Sequence, residues 1–154
     1  MSTFPTKILL ATDGSKDAEL ATKAAIELAN TTRSELHVVY VGELASSAHA
    51  NPEDQLRPMI ERVTHRTRSV LGERIALIAA AGGGVSGEHV RVGQPAEEIV
   101  VLAEEIEAGL IVMGSRGLGG VRRALTGSVS DSVVRHAHCP VLVVRKGGEP
   151  LGRR

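Results

Sequence analysis

The chain has 154 residues, with 18 Lys and Arg against 18 Asp and Glu, 42% hydrophobic residues and a single cysteine, Cys139. One domain with a sizeable core fits these numbers, while the balanced charge and the near absence of aromatics (only Phe4 and Tyr40) argue against a nucleic-acid partner. An intrachain disulfide is excluded, and with no apolar run of transmembrane length and no secretory signal pattern the expected location is the cytoplasm, away from membranes.

With so few aromatics, the core must be built from Val, Ile, Leu and Ala, which suits a parallel sheet covered by helices. Lys7 to Thr12 reads as a first strand, ending at Asp13-Gly14-Ser15. A helix follows from about Lys16 to Asn30, with small residues (Ala18, Ala21, Ala25, Ala29) on its apolar side. Glu35 to Val41 is the second strand, and strand–helix–strand in this order implies a parallel crossover. After a polar connection, Asn51-Pro52-Glu53-Asp54 reads as a helix start with Asn51 as N-cap and Asp54 closing a capping box. Pro58 is expected to kink or delay that helix, whose stripe is Met59, Val63, Val70, Leu71, Ile75 and Ile78, and Gly82-Gly83-Gly84 stops it. Glu88 to Val92 is a short third strand near an edge. Pro95 to Glu107 is the next helix, Leu110 to Met113 the fourth strand, Ser128 to Ala137 the last helix and Val141 to Val144 the fifth strand. The single domain is expected to span residues 1–146, with 147–154 a polar C-terminal tail.

Between the fourth strand and the last helix lies the most informative stretch, Gly114 to Ser130. It holds Gly114, Gly117, Gly119, Gly120 and Gly127, three arginines (Arg116, Arg122, Arg123) and no acidic residue. Glycines let a backbone approach a ligand closely. The free N–H groups and dipole of a helix N-terminus favour an anion, and arginines add forked phosphate contacts. The stretch therefore reads as a nucleotide phosphate site. It is neither a Walker loop, since Gly-Lys-Ser/Thr is absent, nor a dinucleotide fingerprint. In open parallel sheets ligands sit beyond the carboxyl ends of strands where strand order reverses. Asp13-Gly14, Val41-Gly42 and Gly114-Ser115 mark three such ends.

The spacing Gly114, two residues, Gly117, nine residues, Gly127-Ser128 resembles the ATP-binding branch of the universal stress protein family. The resemblance covers nearly the whole chain. It includes Ile8 to Ser15, Gly93-Gln94-Pro95-Ala96, Leu110 to Gly117, and Arg135 to Val144. It implies a Rossmann-like open sheet of the adenine nucleotide alpha hydrolase kind, five parallel strands in the order 3-2-1-4-5 with helices on both faces. It also implies roles: Asp13 meets the nucleoside, with Ala11 and Thr12 lining the same wall; the Val41 backbone reads the adenine edge; Met113 and Gly114 flank the ribose. Gly117 closes over the phosphates, which Gly127, Ser128, Val129 and Ser130 bind. Apart from the resemblance, at least one of the three arginines, with Arg116 the one counted in the site, is read as steering the phosphates by its charge. ATP is then the implied ligand, with Mg2+ or Mn2+ bridging its phosphates. A homodimer through an antiparallel pairing of Val141 to Val144 is the implied assembly.

Plainer readings of the same residues stay open. Asp13-Gly14-Ser15 is also a turn and helix cap, Ser128-x-x-Asp131 a capping box, Val41 a core strand end and the three arginines a solvated loop. His136, His138 and Cys139 have no second cluster to complete a metal site; His37, His49, His65 and His89 are scattered. No catalytic set emerges, so the expected function is a nucleotide-dependent switch or sensor with slow or no hydrolysis. A slow ATPase, a cyclic-AMP binder and a dimer with a vestigial pocket are the rivals.

Overall fold

The computed structural model describes residues 2–44, 52–115 and 128–147. Asn51, Arg116, Gly117, Arg122, Arg123, Gly127 and the tail from 148 onward lie outside them.

The described elements run β1 (Lys7–Ala11), α1 (Lys16–Thr32), β2 (Glu35–Gly42), α2 (Glu53–Ala80), β3 (Val85–Val92), α3 (Pro95–Glu105), β4 (Leu110–Gly114), α4 (Ser128–His136) and β5 (Val141–Val144). All strand pairs are parallel, and the sheet order is β3-β2-β1-β4-β5, as the family resemblance implied. The order therefore reverses between β1 and β4, which is where a ligand crevice opens in such sheets.

Alternation along the strands divides the core in two. Ile8, Leu10, Leu36, Val38, Leu110 and Val112 pack with α1 and α2. Leu9, Val39, Ile111 and Met113 pack with Ile99 and Leu102 of α3 and Val133 of α4. Each fully buried Leu or Ile contributes roughly 2 kcal/mol of apolar burial. The small face of α1 is buried at Ala18, Ala21, Ala25 and Ala29, so its backbone comes close to the sheet.

Three readings of the chain need correction. α2 begins at Glu53, with Pro52 in the N-cap position rather than inside the first turn, while the proposed capping box rests on Asn51, outside the described residues. Proline at the cap has its φ already set for the turn. Pro58 neither delays nor interrupts α2. It lies one turn in, where only the bond to the Asp54 carbonyl is lost. β3 is longer than read, starting at Val85, with Gly87 inside it. A Cβ on Gly87 would come 2.2 Å from the His37 ring, so the glycine makes room for a neighbouring side chain rather than a turn. The edge position expected for β3 is observed, and β5 forms the other edge. The glycine stop after α2 is a Schellman turn: Gly82 has φ +90° and the Gly83 N–H bonds the Ile78 carbonyl.

Candidate functional site

The carboxyl ends of β1, β2 and β4 and the first turn of α4 face one end of the sheet. β1 stops at Ala11, and the buried Thr12 continues the ladder for one bond, its N–H donating to the Val39 carbonyl at 3.1 Å. Asp13 then turns the chain. Its Oδ1 accepts the Ser15 N–H at 2.9 Å, Gly14 takes φ +80°, and Ser15 caps α1 by accepting the Ala18 N–H at 3.2 Å. The turn-and-cap reading of Asp13-Gly14-Ser15 is thus present, and it holds the Asp13 carboxylate at the end of β1.

Val41 sits in β2 two positions beyond Val39, the last residue that β1 pairs. Thr12 N–H reaches Val39, and on the opposite side of β2 Gly93 N–H reaches the Gly42 carbonyl at 2.9 Å. The alternation of a parallel ladder then turns the Val41 N–H and C=O toward the β1 side, beyond the strand's end. Met113 is buried in the core on the α3 and α4 side, while Gly114 ends β4 against α1. A Cβ on Gly114 would stand 2.7 Å from the Asp17 carbonyl carbon and 2.8 Å from the Ala18 nitrogen.

Both ends of the glycine-rich segment are tied down. Ser115, just after β4, donates its hydroxyl to Asp17 Oδ2 of α1 at 2.6 Å. Ser130 in the first turn of α4 donates its hydroxyl to the Ser115 carbonyl at 3.0 Å. Ser128 is exposed, Val129 half-buried and Ser130 buried. The Ser130 hydroxyl thus serves as a staple between α4 and β4, whereas the Ser128 side chain faces solvent at the helix start. Ser115 is read from the sequence only as part of the Gly114-Ser115 strand end, and Asp17 carries no signal; a serine just after a strand resembles any loop residue until its partner, far away in the chain, is known.

Tyr40 closes the β1–β2 side. Its hydroxyl lies 3.5 Å from the Asp13 carbonyl. Burial and then the Asp13 carboxylate push its pKa up, with Arg74 acting against them.

The histidines are not all scattered. His37 of β2 and His89 of β3 stack with ring centroids 5.3 Å apart, and His37 Nδ1 meets His89 Nε2 at 3.0 Å. Burial lowers the pKa of both; His89 is lowered further by His37 and Arg91, and His37 by Lys7, against Glu35. Glu105 opposes the shift of His89. The Glu35 carboxylate, 3.8 Å from His37 Nε2, is the main opposing influence, and burial outweighs it. An imidazole whose folded pKa is lowered below about 6.5 takes up protons later than the unfolded chain does. The stability it contributes is present above that pH and is lost as pH falls through the lowered values. Urea denaturation from pH 7.5 to 5.5 should therefore show falling stability, and His89→Gln should flatten the slope. An unchanged slope in that variant would assign the pH dependence to other groups.

Toward the end of α4, His136 Nδ1 lies 2.8 Å from the Ser132 carbonyl, and just beyond the helix His138 Nδ1 lies 3.2 Å from Glu104 Oε1. Cys139 is half-buried against the α3 and α4 cluster, its thiol pKa pushed up by burial against a backbone bond from Ile111. No group of three His, Cys, Asp or Glu able to hold a metal ion occurs among the described residues. No helix among them is long and apolar enough to cross a membrane.

Comparison with known proteins adds to this geometry. The profile of the universal stress protein family matches residues 5–145. Universal stress protein MJ0531 of Methanocaldococcus jannaschii is 36% identical over 140 residues, covering 91% of this chain and 82% of that protein. The fold is similar to that of UspA from Lactobacillus plantarum, with a TM-score of 0.74 at 26% identity over 92% of this chain and 99% of that one. It is also similar to a universal stress protein solved in complex with cAMP, with a TM-score of 0.70 at 25% identity over 95% and 100% of the two chains.

Proposed function

The chain belongs to the universal stress protein family, and we propose that it is an ATP-binding member acting in the cytoplasm as a nucleotide-dependent switch in stress response, with slow or no hydrolysis. The observation that carries this reading is the meeting of three strand ends with a helix start. Asp13, the outward Val41 backbone and Gly114 lie at the ends of β1, β2 and β4, and the α4 N-terminus is stapled beside them through Ser130 and Ser115. The nucleoside would lie along Ala11, Thr12, Asp13 and Val41, and the ribose beside Met113 and Gly114. The phosphates would meet the N–H groups of Ser128, Val129 and Ser130 together with Arg116, Gly117 and Gly127.

These residues suit the group. The α4 start offers N–H donors and an exposed Ser128 hydroxyl, and the end of β2 offers Val41 backbone groups beyond the last pair of the β1 ladder for a base edge. Mg2+ or Mn2+ would be held by phosphate oxygens and water with few protein ligands, the usual manner for magnesium on nucleotides. Slow turnover is the reading because Asp17, the carboxylate bonded at the loop's start, is already engaged by the Ser115 hydroxyl. Hydrolysis needs a group that orients water, as well as charge stabilisation.

The reading includes one domain over residues 1–146 and a homodimer. β5 is an edge strand with Leu142 37% exposed, a surface open to antiparallel pairing with a second copy. A second reading, cyclic AMP as the ligand, is favoured by the relative solved with cAMP. Calorimetry with ATP and Mg2+, then with cyclic AMP in competition, decides between them, on protein whose solution mass is measured with and without nucleotide. Magnesium-dependent ATP binding at one site per chain, on a dimer, is the expected result. Stronger cyclic-AMP binding would move the function to second-messenger sensing, and no binding by nucleotide-free protein would overturn both.

A further inference from the structure

Arg74 leaves α2 and lies across the turn that follows β1. A Cβ on Gly14 would come 2.5 Å from Arg74 Nη2 and 3.2 Å from its Cζ. The guanidinium thus occupies the space a side chain would take at Gly14, whose φ of +80° already favours glycine. Its Nε–H is shielded from solvent and meets no acceptor among the described residues. None of the ion pairs among those residues includes it. The Asp13 carboxylate and Arg74 both lie near enough to act on the Tyr40 phenol, in opposite directions. A guanidinium carries five donors and no acceptor, and shielding one donor from water without a partner costs stability. A bound molecule with an acceptor at this place would offset that cost.

We propose that Arg74 is a ligand-binding residue for the nucleoside end of an adenine nucleotide, its planar guanidinium donating to an acceptor atom of the base or ribose beside Asp13. This rests on the nucleotide-binding reading above and adds to it a residue from α2. The nucleoside rather than the phosphates is indicated by position. Arg74 lies against Gly14 and close enough to Tyr40 to act on its phenol, on the β1–β2 side near Val41, whereas Ser128 and the glycine-rich segment follow β4. The turn glycine and the arginine then form one device: Gly14 yields the space, and Arg74 brings a cation into it from the covering helix.

The test compares adenosine, AMP and ATP with Mg2+ by calorimetry on wild type, Arg74→Met and Arg74→Lys, with melting of each ligand-free protein. Arg74→Met should weaken all three ligands by a similar factor, about tenfold or more, the size of a hydrogen bond to a charged donor. Lysine should not restore affinity, since it lacks the Nε–H and the planar fork. Ligand-free Arg74→Met should melt no lower than wild type, because methionine removes an unpartnered donor and keeps the packing. Equal affinities in wild type and variants would overturn the role of Arg74 alone. A loss that grows from adenosine to ATP would overturn the nucleoside assignment. Binding of none of the three by wild type would remove the nucleotide reading itself. Should Arg74→Met not fold, Arg74→Lys carries the same comparison.

Discussion

Gly114→Val should cost the fold about 3 kcal/mol or more, the upper end of what overpacking a close contact does. Even the first side-chain carbon would stand 2.7 Å from the Asp17 carbonyl carbon and 2.8 Å from the Ala18 nitrogen. Both are backbone atoms in the first turn of α1, so no rotamer change relieves them. The helix start must move away from β4, and with it go the Ser115–Asp17 bond and the packing of Ala18 and Ala21. In a domain of this size each kcal/mol lowers the melting temperature by about 2–4 °C, so a fall of roughly 10 °C is expected in thermal unfolding. Gly72→Ala is the control: a Cβ there meets nothing within 4 Å, and alanine in a helix interior should stabilise by about 1 kcal/mol. If Gly114→Val melts like wild type, the close approach of β4 to α1 is not what holds this end of the sheet together.

Gly127→Leu should do the opposite, abolishing ATP binding while leaving the domain folded. Gly127 lies outside the described residues, and its part is read from its place directly before Ser128, where α4 begins. On the proposed phosphate site, a leucine side chain at that point would stand where phosphate oxygens would approach the first N–H groups of the helix. Losing two charge-assisted hydrogen bonds of about 1.5–3 kcal/mol each predicts at least a hundredfold weaker binding. Gly127 has no side chain to lose from packing, and a substitution outside the named mechanisms of large destabilisation should change thermal stability by less than about 1 kcal/mol. Calorimetry beside a circular-dichroism melt separates the two effects. Full affinity in a folded variant would take the phosphates out of this loop.

The element order was legible because each strand is a short Val, Ile and Leu run and the covering helices repeat at helical spacing. Leu110 to Met113 and Val141 to Val144 could be read almost to the residue. β3 was under-read because Gly87 looks like a terminator in sequence; its reason lies in the His37 ring on the neighbouring strand. Contacts between distant parts of the chain were not legible. His37 and His89 are 52 residues apart, and Ser115 and Asp17 are 98 apart, so nothing local marks either pair. Arg74 was hidden for another reason. It lies on a helix that also carries Arg57, Arg62, Arg66 and Arg68, and only the structure distinguishes the one whose guanidinium turns inward. The glycine spacing of the proposed phosphate segment was the clearest signal in the sequence, since it needs no tertiary partner to be recognised.

Tyr40 is the sole tyrosine of a chain that has no tryptophan, and its hydroxyl rests beside the Asp13 carbonyl. The protein's near-ultraviolet emission therefore comes from a single reporter at the mouth of the proposed site. Occupancy there can be followed by quenching of that emission, with no label attached. The same scarcity makes absorbance diagnostic: an adenine ring carried through purification would outweigh one phenol, so the ratio at 260 and 280 nm reads directly how much nucleotide came along.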